Sequence, residues 1–91
     1  MPVTVHIPAP LREHADYQDR LMAEGGTVAA VLEELGRRYP ALSDRLFEKP
    51  GCLRRFVNVY VNDEDIRYLN SLETGLSPGD QVSIIPAVAG G

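Results

Sequence analysis

Apolar and polar residues alternate from the first residues of the chain. In VTVHI, Val3, Val5 and Ile7 share one side and Thr4 and His6 the other, the period of two expected of a half-buried strand. Pro8 and Pro10 close it, because proline brings no N–H to a ladder. Arg20 to Ala23 is a weaker segment with the length of a returning hairpin strand, and Gly25-Gly26 ends it. The spacing then lengthens. Val28, Val31, Leu32 and Leu35 recur at i, i+3, i+4 and i+7 behind Thr27, which predicts an amphipathic helix with a threonine N-cap. Arg37 and Arg38 suit the negative end of its dipole, and Pro40 stops it.

Leu42, Leu46 and Phe47 fit a short helical turn, with Pro50-Gly51 as the reversal after it. Alternation returns in RRFVNVYVN, with Val57, Val59 and Val61 on one face and Phe56, Asn58 and Tyr60 on the other. This is the clearest strand in the sequence, and its pattern predicts a central position. Asn62 to Asp65 reads as a turn by composition and Ile66 to Tyr68 as a short strand. Leu69 to Leu76 is a connection with room for a 3₁₀ turn. Ser77-Pro78-Gly79-Asp80 is a tight turn, and Gln81 to Ile85 is the last strand, with Val82 and Ile84 inward and Pro86 ending its pairing.

The order strand–strand–helix–short helix–strand–strand–strand supplies one main helix for a mixed sheet of four or five strands. A single helix covers one face and leaves the other partly open. The first and last strands carry strong patterns and are joined through a helix, which permits a parallel pair at the centre. That arrangement is the β-grasp, an α+β fold. Residues 1–86 form its single domain, and 87–91 remain as a short flexible tail.

Composition narrows the function. Ninety-one residues hold one small domain, too little for an independent enzyme with a deep, walled active site. Thirteen acidic residues oppose nine basic ones, net −4, and an acidic surface disfavours nucleic acid. Cys52 is the only cysteine, so neither a disulfide nor a four-thiolate cluster is available. His6 and His14 do not stand at metal-ligand spacing with Cys52, and no bound cofactor or metal is expected. No apolar run approaches the roughly 18 residues of a membrane span, and no signal-peptide pattern opens the chain. The expected compartment is the cytoplasm.

The chemistry gathers in the tail Ala87-Val88-Ala89-Gly90-Gly91. Two terminal glycines also arise as an inert end, but here they follow a patterned strand through uncharged residues without aromatics. Five extended residues reach at most about 17 Å, enough to enter another protein's active site while the body stays outside. Glycine lacks a Cβ, so Gly90 passes a narrow channel and the Gly91 carbonyl stays unshielded. The α-carboxylate, with a reference pKa of about 3.5, is ionised and a poor electrophile. It needs activation, for example adenylation, before a nucleophile attacks.

The segment GDQVSIIPAVAGG, together with VTVHIP and FVNVYVNDEDIRYL, resembles the ubiquitin-like sulfur carriers of the MoaD/ThiS type, and most of all their cysteine-biosynthesis members. The resemblance covers essentially the whole chain; residues 9–26 and 41–55 are weakly diagnostic. It implies a ubiquitin-like β-grasp. It implies that an E1-like enzyme uses ATP to adenylate Gly91 and that a sulfur donor converts the adenylate to a thiocarboxylate. In the cysteine-biosynthesis members a PLP-dependent synthase supplies the aminoacrylate acceptor, and a JAMM-type metalloprotease releases the product. The carrier has no catalytic residue of its own: Gly91 bears sulfur, Gly90 allows channel entry, and Ala87, Val88 and Ala89 form the lead. The same tail chemistry serves the small subunit of molybdopterin synthase beside its large subunit, a tRNA-thiolation donor, or a ubiquitin-like modifier conjugated to lysines. A non-covalent regulatory subunit is a further alternative.

Phe56, Tyr60 and Ile85 lie on the face away from the valines and are candidates for a partner docking patch. Asp63-Glu64-Asp65 reads as a solvated turn, Arg54-Arg55 as solvated charge flanking a strand, and Cys52 as a small buried or loop cysteine without a relay role.

Overall fold

In the computed structural model, which describes residues 2–86, the opening alternation forms β1 (Val3–His6), with Val3, Val5 and the following Ile7 buried. The prolines end the strand by turning the chain into a 3₁₀ segment, Ala9–His14, that the sequence pattern does not announce. Arg12 Nε donates to the Ile7 carbonyl at 3.0 Å and ties that segment to the strand. β2 (Arg20–Ala23) returns antiparallel to β1, with Thr4 opposite Met22.

Thr27 caps α1 (Val28–Arg38), its Oγ1 accepting from the Ala30 N–H at 3.2 Å. The stripe Val28, Val31, Leu32 and Leu35 is buried. Pro40 ends α1 and opens α2 (Pro40–Leu46), since its missing N–H is no loss in a first helical turn. The two helices approach closely at Gly36, where a Cβ would stand 3.0 Å from Ser43 Oγ. Leu42 and Leu46 fill the core as expected, but Phe47 does not continue the helix. It begins β3 (Phe47–Lys49), which pairs with β4 (Cys52–Leu53) in a separate two-stranded hairpin turned at Pro50-Gly51. Gly51 has φ +78 there, a conformation that suits glycine.

β5 (Val57–Val61) and β6 (Glu64–Asp65) are joined by Asn62 and Asp63, both at positive φ (48 and 73). Positive φ at both central residues is the geometry of a type I′ hairpin, which asparagine and aspartate tolerate. The strand expected at Ile66 to Tyr68 is instead a 3₁₀ turn. Asp65 caps it, its Oδ1 accepting from the Arg67 N–H at 2.8 Å. A second 3₁₀ turn, Ser71–Glu73, occupies the following connection. β7 (Gln81–Pro86) starts after Gly79 at φ +87 and includes Pro86, which stands opposite Val57 rather than ending the pairing.

The five-stranded sheet has the order β2-β1-β7-β5-β6. β7 is its middle strand, parallel to β1 and antiparallel to β5. β5, expected at the centre, is second from the edge: its partner β6 has two residues, too few to announce themselves in a hydropathy pattern. Val5, Val82 and Val61 stand side by side across β1, β7 and β5. With Val59 and Ile84 they form the sheet side of the core that the two helices cover. Among the described residues, no helix packs on the other face.

Candidate functional site

The site is the end of β7 and the uncovered face around it. The candidates Ala87, Val88, Ala89, Gly90 and Gly91 lie outside the described residues. What the structure does place is their root. Pro86 is held opposite Val57 on β5, and its strand is paired on both flanks, to β1 at Gln81–Ser83 and to β5 at Val82–Pro86. The start of β7 is pinned as well. Asn62 Nδ2 donates to Asp80 Oδ1 at 3.0 Å, the Gln81 N–H donates to Asn62 Oδ1 at 2.9 Å, and the Ser77 N–H donates to Asp80 Oδ2 at 2.8 Å. The Ser77 N–H, and after it Asn62, hold the Asp80 carboxyl below the usual carboxylate range.

On the uncovered face the register brings two of the three docking candidates together. Ile85 stands opposite Asn58 and Tyr60 opposite Ser83, so Ile85 and Tyr60 are diagonal neighbours on one surface. Ile85 is 47% exposed and Tyr60 half-buried. Phe56 lies in the turn before β5, 48% exposed, with the Arg55 guanidinium over its ring at 5.7 Å. Sequence reasoning missed Met22, 52% exposed on β2. The alternation of Arg20 and Met22 against buried Leu21 and Ala23 is the signal that would have found it. Thr4 and His6 lie between these apolar groups, Thr4 Oγ1 donating to Met22 Sδ at 3.5 Å and His6 Nε2 in hydrogen-bond contact with Gln81 Oε1.

Other candidates stand apart from this face. His14 neighbours Glu13 at 3.6 Å. Cys52, half-buried at the start of β4, donates to Glu48 Oε1 at 3.4 Å, and that bond is the main reason its thiol is pushed up. Among the described residues, no group of three or more His, Cys, Asp or Glu side chains is placed to hold a metal ion, and no helix is long and apolar enough to cross a membrane. Asp65 is not the solvated turn residue its composition indicates. It is buried and paired with Arg67, its Oδ2 accepting from a terminal guanidinium nitrogen at 2.7 Å, and this bond lowers its carboxyl below the usual range.

Among the described residues, the site is a middle strand anchored at both flanks beside an uncovered sheet face. The chain belongs to the ThiS family, whose model matches residues 5–91. It is 50% identical over 93 aligned positions to the sulfur carrier protein CysO of Mycobacterium tuberculosis, covering 100% of both chains. The fold is similar to a chain in the crystal structure of the Amycolatopsis orientalis BexX/CysO complex, with TM-score 0.89, 44% identity and coverage of 98% and 99%. The small archaeal modifier protein 1 of Methanosarcina acetivorans is also similar, with TM-score 0.88, 38% identity and coverage of 99% and 96%.

Proposed function

We propose that this chain is a sulfur carrier of cysteine biosynthesis, with Gly91 as the atom-bearing end. The supporting observation is that the middle strand of the sheet, which carries Ile85 as a diagonal neighbour of Tyr60, leads at Pro86 into the sequence that ends in Gly90-Gly91. The relationship to a CysO carrier along the entire chain gives the reading its pathway.

In this reading a Gly91 carboxylate oxygen attacks the α-phosphorus of ATP on an E1-like partner, and pyrophosphate leaves. A sulfur nucleophile then attacks the mixed anhydride, AMP leaves, and a thiocarboxylate remains. Its sulfur adds to an aminoacrylate held by a PLP-dependent synthase, the thioester rearranges to an amide, and a JAMM-type metalloprotease frees the product. The carrier contributes no acid or base. Ala87 to Ala89 give reach, Gly90 gives clearance, and Phe56, Tyr60, Ile85 and Met22 dock the partners. ATP is consumed by the activating partner and is not a ligand of this chain.

Intact-mass analysis after incubation with the activating enzyme, ATP and a sulfide donor tests this. Sulfur in place of one terminal oxygen is the expected product, and a chain lacking Gly90 and Gly91 gives none. Sulfur loading of the shortened chain would refute the assignment. The similarity to a small archaeal modifier supports a second reading, attachment to lysines of other proteins. Isopeptide-linked conjugates without thiocarboxylate would select it.

A further inference from the structure

The chain is net negative, and among the described residues only two of its nine Lys and Arg side chains are in ion pairs. Arg38 pairs with Glu34 and Arg67 with Asp65. Arg45, Arg54 and Arg55 have no carboxylate within ion-pair distance among the described residues, and all three are exposed. Arg45 and Arg54 lie on one cavity, and Arg55 follows Arg54 in the chain. That cavity is shallow, about 550 Å³ between α2 and the 3₁₀ segment, with His14 beside the two arginines and Asp44 as its one acidic lining residue. Arg54 is pre-set, its Nε donating to the Asp44 carbonyl at 3.0 Å while its terminal nitrogens have no hydrogen-bond partner among the described residues. A guanidinium fixed in this way loses little freedom when it meets a carboxylate.

The position of this cluster matters as much as its charge. The Arg54 carbonyl accepts from the Val57 N–H at 3.0 Å, and Val57 stands opposite Pro86, the root of the tail. Arg55 follows directly and lies over Phe56. The basic ridge therefore links the neighbourhood of Pro86, through Val57 and Arg54, to α2.

We propose that Arg45, Arg54 and Arg55 form a second docking element, which meets a carboxylate-rich rim beside the channel of the activating enzyme that takes the tail. This rests on the carrier reading above. Charge at the rim of an interface acts mainly on encounter, so it governs the concentration needed and its salt dependence more than turnover.

The test is ATP–pyrophosphate exchange by the activating enzyme, with KM for the full-length carrier measured at low and high salt. Arg45→Glu is expected to raise KM about 5- to 10-fold near 50 mM NaCl with kcat unchanged, and to approach wild type near 0.5 M NaCl as screening shortens the field. Arg37→Glu makes the same change in net charge on α1 and is expected to change KM less than about 2-fold. Arg45→Gln provides the milder variant if thermal melting shows Arg45→Glu to be destabilised, with an expected rise of about 2- to 3-fold. Equal effects of Arg45→Glu and Arg37→Glu, or a KM for Arg45→Glu and Arg45→Gln that matches wild type at low salt, would overturn the ridge. The carrier reading is tested separately, by the intact-mass experiment on the full-length and shortened chains, so its failure is distinguishable from failure of the ridge.

Discussion

Truncating Val82 tests the placement of β7 directly. Val82 is fully buried on the middle strand, with Val5 on one side and Val61 on the other. Val82→Ala removes two methyl groups, about 0.8 kcal/mol each in transfer free energy. A cavity contribution of about 1 kcal/mol is added because strands held on both flanks collapse poorly. The expected loss is about 2–3 kcal/mol, a large share of the roughly 5–10 kcal/mol available to a domain of this size. Val57→Ala, at a half-buried position one strand out, is expected to cost about 1 kcal/mol or less by the same arithmetic. Urea unfolding followed by far-UV circular dichroism reads both midpoints, and an unchanged slope shows that the denatured state is comparable. A Val82→Ala cost below about 1 kcal/mol, or one no larger than that of Val57→Ala, would refute the central position of β7.

Four other outcomes are expected. Asp65 and Asp80 both have carboxyls lowered from 3.8, by the Arg67 side chain and by the Ser77 N–H respectively. Their stabilising effect is complete above the unfolded value and is lost as pH falls through the lower folded values, so acid titration by circular dichroism should lose stability below about pH 4, less steeply in Asp65→Asn. Cys52 should react with iodoacetamide near neutral pH more slowly than glutathione, because the Glu48 bond disfavours its thiolate. Cys52→Ser should still form thiocarboxylate, and failure to do so would give this thiol a relay role. Tyr60→Asp should raise KM for activation while leaving the melting temperature within a few degrees; unchanged activation kinetics would remove Tyr60 from the docking patch.

The elements with a clean period were legible in the sequence. Val3, Val5 and Ile7, the α1 stripe and the valines of β5 each point one way because one face of each meets the core. The parallel pairing of β1 with β7 followed from two strong strands joined through a helix. Short elements were not legible. β6 has two residues, and Phe47 lies at a junction where helical and extended spacing both fit. Asp65 is acidic like its neighbours Asp63 and Glu64, and only its capping of the next turn and its pairing with Arg67 separate it from them. On the open face Ile85 and Tyr60 were visible through alternation. Met22 was missed although the alternation of β2 carries it, because four residues give that alternation little weight against the longer strands. The grouping of Arg45 with Arg54 is a tertiary fact: nine positions separate them, and α2 with the β3–β4 hairpin folds them onto one cavity.

The clamping of β7 has a mechanical consequence. A pull at Pro86 along β7 loads the ladder with parallel β1 along the strand direction, so that its bonds share the load and yield together instead of unzipping singly. The body of the domain is therefore built to stay intact under tension applied at Pro86 along the strand.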